Sequence, residues 1–131
     1  MNEDGMAKKR AGGWQRLVDA TVYSIKGLKA CWTQEAAFRQ ELAAVLILAP
    51  AAFWLGTTTT QRILLLSTCF LVLIVELVNS AIEAVVDRIG MEDHPLSGRA
   101  KDMGSAAVLL SLVASAAVWG LVVWQRWTGG S

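Results

Sequence analysis

The chain has 131 residues, room for one domain, and 54% of them are hydrophobic. That share, with a clearly positive mean hydropathy, excludes an ordinary soluble domain of this size. A net charge of +1 gives no bulk attraction for nucleic acid, so none is expected as a partner. Residues 1–35 are polar and basic, without the apolar stretch or small-residue cleavage pattern of a secretory signal, and none is expected. Cys31 lies near an interface and Cys69 inside an apolar run. Their placement predicts packing roles rather than a disulfide or a metal site.

Residues 1–13 read as a flexible N-terminus. Residues 14–34 follow as an amphipathic helix, in which Trp14, Leu17, Val18, Thr21, Ile25, Leu28 and Trp32 recur at helical spacing on one face. Arg16, Asp19, Tyr23 and Lys26 occupy the other face. A basic amphipathic helix with tryptophan at both ends is expected to lie in the membrane surface. Residues 35–127 then supply three spans, at about 36–55, 63–89 and 97–124, each near or above the length needed to cross a bilayer. The expected fold is an all-α integral membrane protein, one surface helix followed by three transmembrane helices. Pro50 falls inside the first span, where membrane helices tolerate it. In the third span, Gly104, Ala107, Ser111 and Ser115 form a small-residue stripe suited to close helix contact within a bundle or between subunits.

Basic residues set the orientation. Lys8, Lys9, Arg10, Arg16, Lys26, Lys29 and Arg39 precede or open the first span, and Arg88, Arg99 and Lys101 flank the second loop. The first loop, GTTTTQR, has only Arg62, and the C-terminus only Arg126. The N-terminus and second loop are therefore expected in the cytoplasm, with Trp54, Trp124 and Trp127 together at the far interface.

The most informative stretch is ELVNSAIEAVVD, Glu76–Asp87. Glu76, Asn79, Glu83 and Asp87 fall within about a quarter of the helix circumference, directly after an uncharged run. Ionisable groups are costly in a span, so the default reading is a functional site rather than a stripe that only joins helices. Glu83 lies about 10 Å nearer the cytosol than Glu76 along the helix, and Glu35, at the cytoplasmic start of the first span, lies at a comparable depth to Glu83. Glu35 and Glu83 could share a hard cation such as magnesium, which takes oxygen ligands and keeps substrate phosphates and water. Asn79 could add an oxygen or orient a ligand. Glu76, deeper and drier, suits a general base. Beyond the span, His94, Arg99 and Lys101 offer positive charge for phosphates, and Glu92 and Asp102 could hold ribose or metal-bound water. Cation, clamps and a base are the minimal parts of a phosphoryl transferase. Neither GxxxxGK[ST] nor GxGxxG occurs. His94 could equally be a loop residue, and Lys101–Asp102 a solvated helix start with Ser97 as its N-cap.

Three segments, TQEAAFRQE (Thr33–Glu41), ELVNSAIEAVVDRIG (Glu76–Gly90) and LSGRAKDMGSAAV (Leu96–Val108), resemble the small prokaryotic diacylglycerol kinase family. The resemblance runs from about Arg16 to Trp124 without evident insertion. It implies a homotrimeric helical bundle in the bacterial inner membrane that phosphorylates diacylglycerol to phosphatidic acid with magnesium ATP. By the same resemblance Glu76 would be the base or orienting group for the lipid hydroxyl, Glu35 and Glu83 would hold Mg2+ against the ATP phosphates, and Asn79 would support them. Arg16, Tyr23, Glu92, Asp93, His94, Lys101 and Asp102 would also touch ATP. Arg16, Ala37, Phe38, Arg39, Gln40, Glu41, Glu76 and Ser105, with the surface helix, would line the lipid site. Pro95 departs mildly from the pattern and has no amide to give a nucleotide. Undecaprenol kinase, a sister activity with the same motifs, is the nearest alternative. A small proton-coupled transporter would instead place its carboxylate near the midplane.

Overall fold

The computed structural model describes residues 12–129. Residues 1–11, most of the expected flexible N-terminus, lie outside the described residues. Four helices follow one another: α1 (Gly13–Gln34), α2 (Ala36–Leu55), α3 (Thr59–Ile89) and α4 (Pro95–Thr128). The last three are each long and apolar enough to cross a membrane. The chain divides into two compact units between Gln34 and Glu35, so that α1 is one unit and α2–α4 the other.

In α1 the hydroxyls of Thr21 and Ser24 turn back onto the carbonyls of Leu17 and Ala20, which keeps their polar atoms satisfied along the helix. Trp14, Leu17, Ile25, Leu28 and Trp32 are all exposed. In the second unit α3 is central. It packs along α4 over most of its length and against α2 over less, while α2 and α4 scarcely meet. The buried positions of α3 are Leu65, Thr68, Cys69, Val72, Glu76, Asn79 and Val86, spaced by three, four or seven residues apart from the adjacent pair Thr68–Cys69, as one helix face requires. Its other face, including Ile63, Phe70, Ile74 and Val78, is exposed as a lipid-facing surface would be.

The first span matches α2 at both ends, and Pro50 interrupts its hydrogen-bond ladder without ending the helix. The other two helices are longer than hydropathy alone predicts. α3 starts at Thr59 rather than Ile63 because Thr58 caps it, its hydroxyl accepting from the Gln61 amide at 3.1 Å. Gln61 in turn accepts from the Thr57 amide at 2.8 Å, so a polar turn that reads as loop is helical. The first loop shrinks to Gly56–Thr58. Gly56 is required there: a Cβ would stand 2.7 Å from Arg62 Cγ and 3.0 Å from the Ala52 carbonyl.

α4 starts at Pro95 rather than Ser97. Proline is well suited to a first helical turn, where its missing N–H would have had no partner. His94 is the N-cap, its Nδ1 accepting from the Leu96 amide at 3.1 Å. Ser97 is therefore inside the first turn and is not the cap, and Lys101 and Asp102 stand on the helix, in its second turn. The helix runs on to Thr128 and ends at Gly129, the one described glycine in the left-handed region (φ 65°).

Away from the carboxylates, α2, α3 and α4 close over Ala52, Leu65 and Val122, with Val118 and Trp119 packed against them. Thr68 gives its hydroxyl proton to the Leu65 carbonyl at 2.6 Å and accepts from the Trp119 indole at 3.0 Å. Where α2 ends, two arginines occupy its terminal carbonyls. Arg62 donates to Phe53 at 3.2 Å, and Arg126 donates to Trp54 at 3.2 Å while lying 4.8 Å from the Trp54 ring centre. These guanidinium groups satisfy acceptors that a helix end leaves open. The small-residue stripe divides: Gly104 and Ser111 are buried while Ala107 is exposed. Gly104 packs closely against Asn79 of α3, and the Ser111 hydroxyl donates to the Val108 carbonyl of its own helix.

Candidate active site

Glu76 and Asn79 lie on the buried face of α3 and keep only 4% and 7% of their surface exposed. Glu83, two turns further on, is half-buried. Asn79 Nδ2 donates to Glu83 Oε1 at 3.3 Å. The amide is thereby turned with its donor toward the carboxylate, which favours an orienting role over that of an extra oxygen ligand. Glu35 reaches the same region from the start of α2. It is the N-cap residue of that helix, yet its side chain makes no capping hydrogen bond, so its carboxylate remains available. Glu35 and Glu83 are both close enough to Glu76 for their charges to repel it, and Glu41 interacts with Glu76 in the same way.

Three carboxylates around the buried Glu76 make a countercharge favourable there. Among the described residues, no three His, Cys, Asp or Glu side chains converge on one point fit for an ion. Magnesium commonly takes one or two carboxylates and completes its shell with phosphates and water, so it does not need such a cage. The donors are all oxygen, and Asn79 already steadies one of them. The residues present therefore fit the ion.

A second group forms where α3 turns into α4. A cavity of about 530 Å³ is lined by Asp87, Glu92, Asp93, His94 and Lys101. Lys101 Nζ bonds Asp87 Oδ1 at 2.7 Å, with both side chains nearly half exposed. Asp87 thus leaves the buried stripe to which its spacing assigned it and instead holds the cation of α4. Sequence spacing within one helix carries no sign of that cross-helix pair. The cap on Nδ1 also fixes the His94 tautomer, leaving Nε2–H as the donor of the neutral ring.

Between α2, α3 and α4 lies a second, apolar cavity of about 330 Å³, lined in part by Glu41, Val45, Leu48, Cys69, Val72 and Trp119. Glu41 Oε2 is buried there without a hydrogen-bond partner. Of the other expected lipid contacts, Phe38 is buried and Arg39 half-buried, whereas Ala37, Gln40 and Ser105 are exposed, as is Asp102 beside Lys101. Arg16 and Tyr23 belong to α1, the separate unit, where the Lys26 ammonium lies 5.8 Å from the Tyr23 ring centre.

Three helices long and apolar enough to cross a membrane, the central one carrying the buried Glu76, define the class of helical membrane protein. The chain belongs to the prokaryotic diacylglycerol kinase family, whose model matches residues 22–123. It is 54% identical over 114 residues to the diacylglycerol kinase of Escherichia coli K12, covering 87% of this chain and 93% of that protein. The Haemophilus influenzae diacylglycerol kinase is 50% identical over 108 residues, 82% of this chain and 92% of that protein. The Pseudomonas aeruginosa diacylglycerol kinase is 47% identical over 111 residues, 85% and 90% of the two chains.

Proposed function

We propose that this chain is a diacylglycerol kinase of the bacterial inner membrane, transferring the γ-phosphoryl group of ATP to the free hydroxyl of diacylglycerol. Kinship to diacylglycerol kinases across most of its length is the observation that carries this reading. The acidic site supplies the chemistry. Glu76 accepts the hydroxyl proton, the lipid oxygen attacks the γ-phosphorus in line, and the bond to the β-phosphate oxygen breaks to release ADP and phosphatidic acid. Glu35 and Glu83 hold magnesium, and Asn79 orients Glu83. Magnesium bound there supplies positive charge to the phosphate oxygens, which repel an incoming nucleophile when bare. Lys101, held by Asp87, adds a second cation for the nucleotide. Glu92, Asp93 and His94 line the cavity beside it, and Asp102 follows Lys101 on the same helix. The apolar cavity at Glu41 suits the hydrocarbon next to the reacting hydroxyl, with the unpaired Glu41 oxygen available to accept a hydrogen bond from the glycerol end.

In this reading α1 lies in the membrane surface, and three subunits assemble as a homotrimer with shared sites. The N-terminus and the α3–α4 turn face the cytoplasm, as the distribution of Lys and Arg requires. Labelling of intact cells with a membrane-impermeant thiol reagent, after removal of Cys31 and Cys69, should modify Thr58→Cys and spare Ser97→Cys. Modification of the second and not the first would reverse the topology. Function is tested by ADP release from purified protein in detergent micelles. Release should depend on added diacylglycerol and exceed that with undecaprenol. Release with undecaprenol alone would assign the chain to polyprenol chemistry, and release independent of any lipid alcohol would remove the kinase reading.

A further inference from the structure

We infer that Gly104 is a positioning residue for the acidic site, and that its absent side chain is the space in which Asn79 holds Glu83. The inference rests on the reading of Glu83 as a magnesium carboxylate. Gly104 is buried on α4 where that helix crosses the carboxylate face of α3. A Cβ at position 104 would collide with Asn79 Oδ1 and stand 3.2 Å from Asn79 Cγ, and the three atoms nearest to it would all belong to that side chain. The other described glycines of α4 within the span, Gly98 and Gly120, would each meet nothing. The requirement for glycine at 104 is therefore directed at one side chain.

That side chain has little freedom to yield. Asn79 is buried, its Nδ2 is committed to Glu83 Oε1, and its Oδ1 has no conventional hydrogen-bond partner. Oδ1 lies where a Gly104 side chain would begin, the direction in which one of the glycine Cα–H bonds points. A C–H···O contact across closely packed helices is the interaction available to it. Glycine disfavours a helix interior relative to alanine, so nothing in α4 itself selects it at this position. An added methyl group must push the amide aside, and Nδ2 leaves Glu83 when it moves. Small displacements of this kind weigh heavily at a site that works by positioning.

The test is a double-mutant cycle on the full-length protein in micelles, using Gly104→Ala, Asn79→Ala and the pair. It reads turnover at saturating diacylglycerol, half-saturating magnesium, and thermal unfolding temperature. Gly104→Ala alone should lower turnover at least about tenfold and raise the magnesium requirement several-fold, yet change either by less than about twofold once residue 79 is alanine. Gly120→Ala, the control for an added methyl group on α4, should leave both within about twofold of the parent. If Asn79→Ala is too slow to compare, the unfolding temperature decides: the Gly104→Ala penalty must shrink or vanish in the Asn79→Ala background. An equal penalty in both backgrounds, or Gly104→Ala indistinguishable from the parent, overturns the inference. Failure of the underlying reading shows separately, as a Glu83→Ala protein with the parent's magnesium dependence, whatever the unfolding cycle gives.

Discussion

Glu76→Gln should leave a folded protein that binds both substrates and turns over about 10²- to 10⁴-fold more slowly, a barrier increase on the order of 3–5 kcal/mol. Glutamine keeps the length and shape of the side chain and can still accept a hydrogen bond, but it cannot take up the proton of an attacking alcohol. Glu76 is the carboxylate furthest from the α3–α4 turn on the buried face of α3, and only 4% of it is exposed. A diacylglycerol hydroxyl anchored by its acyl chains meets that depth, whereas Glu83 lies about 10 Å closer to the turn. Steady-state kinetics in mixed micelles should show kcat and kcat/KM falling together for each substrate, the sign of an interaction made in the transition state. Turnover within a few-fold of the parent would make Glu76 an orienting residue and leave the proton to water or to the phosphate.

Removing a metal carboxylate should have a different signature. Glu83→Ala and Glu35→Ala should each slow turnover and shift half-saturation by magnesium to higher concentration, and excess magnesium should recover part of the rate. Glu83→Ala should be the more severe of the two. It also strands the buried Asn79 Nδ2, and an unpaired buried amide costs about 1–3 kcal/mol. Subunit assembly should survive both changes, since neither substitution touches the small-residue stripe of α4. A magnesium titration of purified Glu83→Ala that superimposes on that of the parent would remove Glu83 from the metal site.

The spans and the helix face of the acidic stripe were legible in sequence because both follow from periodicity and hydropathy. Glu76, Asn79 and Glu83 stand where a 3.6-residue repeat puts them, on one face. What hydropathy could not mark were the helix starts. Thr58 with Gln61, and His94 with Pro95, extend α3 and α4 with polar residues that carry no apolar signal. Contacts between helices were the other blind spot. Asp87 shares the phase of Glu76 on α3, yet it is drawn to Lys101 of α4. Gly104 reads as one more small residue until α4 is set against Asn79. Such pairs depend on the register between two helices, which neither helix encodes alone. The family resemblance supplied roles that spacing left open, above all the choice of ATP and diacylglycerol.

A single-turnover, rapid-quench reaction with γ-labelled ATP tests direct phosphoryl transfer most simply. Protein in excess of nucleotide, in micelles containing diacylglycerol, should pass the label from ATP to phosphatidic acid in one phase, with no labelled protein at any time. Glu76→Gln should slow that same phase without creating a new species. Label appearing first on the protein, or only as inorganic phosphate, would contradict in-line attack by the lipid hydroxyl.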